Sequence, residues 1–302
     1  MSANISHAEQ RIRRGLSVIR WMTGYVPMTT FRWLNDLTLG AARIPAGVTT
    51  AKTTIAGRPA EWFRAAESES GPVVLYLHGG GFIMPAAVLH RTYCGNLAKH
   101  IGGSVLMIDY RLAPEHPFPA AVDDSLAAYQ ALLANGVPAE RLIVAGDSAG
   151  GNLTLALLQA LKQSGDPMPA CAVAISPVAD MSRSRDEDPA AKTDEMLHPR
   201  ALQKFHASYI RGSDGESPLA SPVLGDLSGL PPTLIFAGER ELLCGDAVRY
   251  TDAAAKAGSP VTLCVEPRLW HVWPLNYPEL PQAVDAMAQV AAFVREHAAV
   301  PV

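Results

Sequence analysis

Leu142-Ile143-Val144-Ala145-Gly146-Asp147-Ser148-Ala149-Gly150-Gly151-Asn152 reads as a strand that runs into a helix with a serine at the corner. The four apolar residues lack polar alternation, as a strand covered on both faces should, and helical text follows over 152–163. A G-x-S-x-G string alone is permissive. Set between a strand and a helix it describes a nucleophile elbow, a strained turn that lifts the hydroxyl off the end of a sheet. Its glycines are needed because larger side chains would collide with the crossing strand and helix. A second glycine-rich stretch, His78-Gly79-Gly80-Gly81, closes an earlier apolar run at 73–77. The pair points to nucleophilic chemistry by a serine.

Working outward, further short apolar runs at 104–108, 172–175, 233–236 and 261–265 predict strands, with helical text at 91–100, 120–134, 245–257 and 280–297 between or after them. Two more strands, 48–55 and 60–65, are separated by Gly57-Arg58-Pro59 and read as an antiparallel pair at the sheet's edge. The sum is an α/β chain with a mostly parallel eight-stranded sheet and helices on both faces. Active sites in such sheets lie beyond the carboxyl ends of the strands. Two segments stand outside the alternation. Residues 6–39 read as helical, and 181–230 holds charges, prolines and a helical patch at 201–210 but no strand; the second suits an inserted lid that works with the N-terminal helix.

The 302 residues, 48% apolar and 18% charged, are enough for one large core, and no linker or repeat divides them. A net charge of −4 without a Lys/Arg stripe argues against nucleic acid and for a small, neutral or weakly polar substrate. Cys94, Cys171, Cys244 and Cys264 show no CxxC spacing, so neither a metal nor a disulfide is expected. The first residues lack the pattern of a secretory signal, which gives a cytoplasmic location as the default, and no run is long enough to span a membrane. Ile12, Leu16, Ile19 and Met22 recur at helical spacing beside Arg11, Arg13, Arg14 and Arg20. That pattern fits a helix packed over the protein's own pocket better than one lying on a membrane, and no stable membrane insertion is expected. The C-terminal helix and last strand offer an edge for a homodimer, which nothing in the pattern demands.

A serine hydroxyl needs a base within hydrogen-bond reach and a third group to orient that base. His271, in Leu269-Trp270-His271-Val272-Trp273, follows the last strand, where a loop can carry its ring over Ser148. For the acid, the loop after 233–236 offers Glu239, Glu241 and, a turn later, Asp246; spacing leaves the two glutamates level. The backbone N–H groups of Gly80, Gly81 and Ala149 are the natural donors to a developing oxyanion. His78 is expected to brace the loop rather than react, with Gly79 and Asp147 in support. Phe82, Trp270 and Trp273, with Phe205 or Tyr209 from the lid, are candidates for an apolar substrate pocket, although core packing explains each about equally well.

These motifs, together with Phe82 after the glycines, Tyr110-Arg111-Leu112-Ala113-Pro114-Glu115 and Phe118-Pro119-Ala120-Ala121, resemble the bacterial hormone-sensitive-lipase-like esterases from about Val73 to the C-terminus. The resemblance implies an α/β-hydrolase fold, a helical cap over residues 1–45 on a catalytic domain of 46–302, no cofactor or metal, and carboxylesterase activity on short- to medium-chain acyl esters. In that family the acid is usually an aspartate. Aligning Pro231-Pro232-Thr233-Leu234-Ile235-Phe236 puts Glu241 at its place, a departure in residue type. Asp109, Tyr110 and Glu115 fall in a motif that the resemblance marks as structural. Two rivals stand beside this reading: a lactone or amide hydrolase, N-acetyl groups included, with the same triad, and a non-catalytic ligand-binding protein on the same fold. Retention of His271 argues against the latter.

Overall fold

The structure is a computed structural model that describes residues 6–26, 30, 32, 42–66, 68–184 and 188–299. Its centre is an eight-stranded sheet in the order β1-β2-β4-β3-β5-β6-β7-β8. The strands are β1 (Val48–Ile55), β2 (Arg58–Ala65), β3 (Val73–Leu77), β4 (Ser104–Ile108), β5 (Leu142–Asp147), β6 (Cys171–Ile175), β7 (Thr233–Gly238) and β8 (Val261–Glu266). From β4 to β8 all pairing is parallel, whereas β1–β2 and β2–β4 are antiparallel. The sequence places the β1–β2 corner one residue late. Ile55 pairs with Arg58 across Ala56-Gly57, both at positive φ (46° and 75°), so Pro59 falls inside the strand. Such a two-residue turn matches the twist of its strands, and Pro59 sits at the start of β2, ahead of the β2–β4 pairing that begins at Ala60.

Every residue of β3, β4, β5, β6 and β7 is buried, which explains why these runs lack alternation. Their side chains divide between two faces. Leu75 and Leu77 of β3 pack with Val122 and Tyr129 of α3 (Ala120–Ala134) and Leu153 and Leu157 of α4 (Ala149–Ser164). Val74 and Tyr76 pack with Tyr93 and Leu97 of α2 (Val88–Ile101) and with Met287 and Val290 of α7 (Pro281–His297). A third cluster joins Leu155 and Leu158 of α4 to Tyr250 of α6 (Cys244–Lys256).

The N-terminal helix α1 (His7–Tyr25) starts at Ser6, whose Oγ accepts the N–H of Glu9. The rest of the expected helical stretch, 27–29, 31 and 33–39, lies outside the described residues. Leu16 and Thr23 are buried beneath α1, while Val18, Trp21 and Tyr25 are exposed on its outer side. No described helix is long and apolar enough to cross a membrane. Within 181–230 the described residues hold no strand; they hold α5 (Pro199–Ile210), which packs against α1. Arg13 bridges the two segments by pairing with Glu9 and with Glu195.

Candidate active site

The strand ends bring Ser148, Glu241 and His271 together. Ser148 follows β5 at φ 54°, ψ −115°, a conformation that non-glycine residues rarely adopt and that persists only when the surroundings enforce it. The enforcement is close packing: a Cβ on Gly150 would land on the carbonyl of Leu77 in the neighbouring strand, so only glycine lets α4 leave β5 there. The Ser148 hydroxyl lies 2.8 Å from His271 Nε2, and His271 Nδ1 lies 2.9 Å from Glu241 Oε2. His271 and Glu241 are 1% and 0% exposed, so their interaction is hardly screened by water.

Burial alone would depress the His271 imidazole; the hydrogen bond and charge of Glu241, with the charges of Asp194 and Asp147, outweigh it and hold its pKa above the ordinary value. For Glu241 burial dominates, and its pKa is raised although His271 opposes the shift. The other candidate acids are engaged elsewhere. Glu239 Oε2 accepts the backbone N–H of Arg268, and Asp246 accepts those of Ala179 and Asp180 and pairs with Arg249.

The glycine turn after β3 faces this group. Gly80 and Gly81 sit at φ 122° and 62°, and the Gly80 carbonyl accepts from the N–H groups of Ile83 and Met84. Ala149 is the first residue of α4, where a helix leaves its N–H without an intrahelical acceptor. Asp147 ties the turn to the nucleophile: it accepts the Gly79 N–H at 3.0 Å and the Tyr76 hydroxyl at 2.8 Å. Burial pushes the Asp147 carboxyl up, but His90, Tyr76 and His78 outweigh it and the net shift is downward. His78 is buried behind the turn, its Nδ1–H donating to the Gly79 carbonyl at 2.7 Å and its ring stacked on Tyr110 at 4.4 Å. Burial lowers its pKa to about 4, so the ring is neutral near pH 7.

Two cavities open onto Ser148. One, of about 300 Å³, is mainly apolar and runs beneath α1, with Ile19, Leu89, Met196, His271 and Leu275 in its wall. The other, of about 30 Å³, is enclosed by Phe82, Val178, Met181, Leu202 and His206. Leu197 and Phe205 line both. Phe205 lies so close over the turn that a Cβ on Gly81 would come within 2.6 Å of its ring. Phe82 lines the smaller cavity. The two tryptophans do not: Trp270 is fully buried beneath the Arg13 guanidinium, and Trp273 packs edge-on to Phe236 while its indole N–H donates to the Ala237 carbonyl. The loop that swings His271 outward points its neighbours into the core. Tyr209 stacks on Phe82 and lines neither cavity.

Three neighbours escaped the sequence reading. The Ala87 N–H donates to His90 Nδ1, so His90 carries its hydrogen on Nε2 and donates it to Asp147 Oδ2 at 3.2 Å. Asp194 accepts the N–H groups of Met196 and Leu197, in the wall of the larger cavity, and of Leu242, next to Glu241. Ser176, at φ 49° after β6, accepts the Val272 N–H beside His271. Only Asp194 carried a sequence signal, since an aspartate two residues ahead of an apolar pair suits an Asx turn.

A family model described as alpha/beta hydrolase fold matches residues 74–275. An acetyl-hydrolase from Streptomyces hygroscopicus is 44% identical over 243 residues, 80% of this chain and 81% of that one. An ethyl acetate hydrolase from Pseudomonas putida is 33% identical over 235 residues, 76% of this chain and 74% of that one. Among solved structures, an esterase from the bacterial hormone-sensitive lipase family superposes with a TM-score of 0.91 at 36% identity, covering 99% of this chain and all of the other. The chain belongs to the alpha/beta hydrolase fold family. Within that fold it is a carboxylic ester hydrolase of the bacterial hormone-sensitive-lipase-like kind.

Proposed function

We propose that the chain is a serine carboxylesterase acting on short- to medium-chain acyl esters through an acyl-enzyme, with Ser148 as nucleophile, His271 as base and then acid, and Glu241 as the acid that orients His271. The observation that carries this reading is the hydrogen-bonded line Glu241–His271–Ser148, at 2.9 and 2.8 Å, facing the turn at Gly80 and Gly81. In the first half-reaction His271 Nε2 takes the Ser148 proton as Oγ bonds to the ester carbon. The same proton then passes to the leaving alkoxide as its bond to carbon breaks. Water repeats the sequence on the acyl-enzyme and releases the acid. Gly80, Gly81 and Ala149 donate to the oxyanion, each donor worth about 3 kcal/mol in the transition state.

Residues 1–45 and 181–230 act as cap and lid on a catalytic domain of 46–302, a division supported by the places of Ile19 on α1 and of Met196 and Phe205 in the larger cavity's wall. A homodimer through the edge strand β8, where Val265 is 39% exposed, and a cytoplasmic home, with which the buried free thiols of Cys94 and Cys171 agree, complete the proposal. A panel of p-nitrophenyl esters from acetate to palmitate, run beside Ser148→Ala, tests the activity. Turnover with the shorter esters that vanishes in the variant is expected; no turnover at any length overturns the reading.

A further inference from the structure

The Glu241 carboxylate is anchored at one oxygen. Its Oε2 accepts from His271, while Oε1 has no hydrogen-bond partner among the described residues. The backbone of the acid loop therefore decides where the carboxylate stands, and three consecutive residues of the cover grip that backbone on both sides of position 241. The Thr193 hydroxyl donates to the Arg240 carbonyl at 3.3 Å, and the Leu242 N–H donates to Asp194 Oδ2 at 2.8 Å. Glu195 pairs with Arg240 at 3.5 Å and also with Arg13 of α1. Asp194 is the centre of the grip. It is 2% exposed, and its Oδ1 accepts the N–H groups of Met196 at 2.8 Å and Leu197 at 2.7 Å. An ionised carboxylate is an acceptor only, which suits three N–H donors. Burial pushes the Asp194 pKa up, against the His271 charge and those N–H groups.

We infer that Asp194 is a positioning residue for the triad acid: by holding the Leu242 N–H it sets the Glu241 carboxylate against His271, and its buried charge supports the imidazolium that forms when His271 takes the Ser148 proton. This role rests on the esterase reading above and adds to it a residue that lines neither cavity at Ser148. Burial lowers the His271 pKa, and the charges that face the ring and raise it are Glu241, Asp194 and Asp147. Through Met196 and Leu197, which wall the larger cavity, one carboxylate joins the surroundings of the substrate to the acid loop.

Asp194→Asn keeps the shape but replaces one acceptor oxygen by an N–H₂ group. With the remaining oxygen on the Met196 and Leu197 pair, the amide nitrogen meets the Leu242 N–H, and the acid loop loses its hold. The expected kcat is about 10-fold lower on p-nitrophenyl acetate and butyrate alike, the scale of one buried hydrogen bond, with KM within a few-fold. The acid limb of kcat/KM moves to lower pH, because a negative charge facing His271 is gone. In Glu241→Gln, where no carboxylate remains to be placed, Asp194→Asn costs no more than about 2-fold further. Asp188→Asn, which undoes the cap on the Ala190 N–H in the same segment, leaves kcat and the pH profile unchanged. A raised KM at unchanged kcat, an acid limb that stays in place, or the full loss repeated in Glu241→Gln overturns the role, since a purely structural tie would give these. Hydrogen exchange in the unmodified enzyme needs no variant to fold: the Leu242 amide is protected together with those of Met196 and Leu197, and a freely exchanging Leu242 amide overturns the grip. No turnover of either ester by the unmodified enzyme sinks the esterase reading instead and leaves the exchange result standing.

Discussion

The strand ends and the layer that covers them are built on different terms. Ser148, Glu241 and His271 each follow a buried or paired strand, and the groups that fix them come from the sheet and its loops: the side chains of Asp147 and Ser176 and the carbonyl of Leu77 pressing on Gly150. The cover, α1 with residues 188–230, shares the apolar core through Leu197, Ala201, Phe205, Tyr209 and Ile210 and adds polar ties of its own. Arg13 pairs with Glu9 and Glu195, Arg20 donates to the carbonyls of Leu197 and Ala191, and Lys204 donates to that of Gly24. The difference teaches a division of labour. On the proposed reading, chemistry belongs to the strand ends and the choice of substrate to Ile19, Met196, Leu197, Leu202 and Phe205, which the cover places around the two cavities. Asp194 joins the two systems, since its carboxylate holds both the cover at Leu197 and the acid loop at Leu242.

This division is open to attack from either side. On the sheet side, Glu241→Gln removes the charge that raises the His271 pKa but keeps the shape. The expected loss is about 10³- to 10⁴-fold in kcat on every ester, while Glu239→Ala stays within a few-fold of the parent. The pH profile carries a second signature. His271 is active as a base only when neutral, so kcat/KM falls as pH drops through its raised pKa; without the Glu241 charge that pKa is lower and the acid limb moves to lower pH. A profile that stays in place, or a larger loss in Glu239→Ala, breaks the assignment of the acid. On the cover side, Ile19→Trp fills part of the larger cavity. It should lower kcat/KM for hexyl acetate by about 10-fold and leave ethyl acetate within a few-fold, measured side by side. An equal loss on both esters would mean that the cover serves the chemistry as well.

The sheet was the legible part. Unbroken apolar runs announce strands covered on both faces, and glycine at 146 and 150 is demanded by contacts so close that the local string already implies them. The cover was less legible, because amphipathic text such as Leu16, Ile19 and Met22 tells which face is apolar but not what lies beneath it. Trp270 and Trp273 misled for a related reason: flanking His271 in sequence says nothing about direction in a loop whose Val272 turns at φ 53°. The acid at Glu241 was level with Glu239 by spacing and was singled out by resemblance; the geometry that distinguishes it is its hydrogen bond to His271, a contact between loops that are separate in sequence. His90 left no trace in the sequence at all, since it reaches Asp147 only through the tertiary packing of α2 against the sheet.

The central claim, that the sheet edge performs acyl transfer through Ser148, is met most directly by trapping the intermediate. Rapid acid quench after mixing with p-nitrophenyl acetate, followed by peptide mapping, should find one acetyl group per chain on the Ser148 hydroxyl and none in Ser148→Ala. Steady turnover with acetyl on another residue, or undiminished turnover by Ser148→Ala, would contradict it.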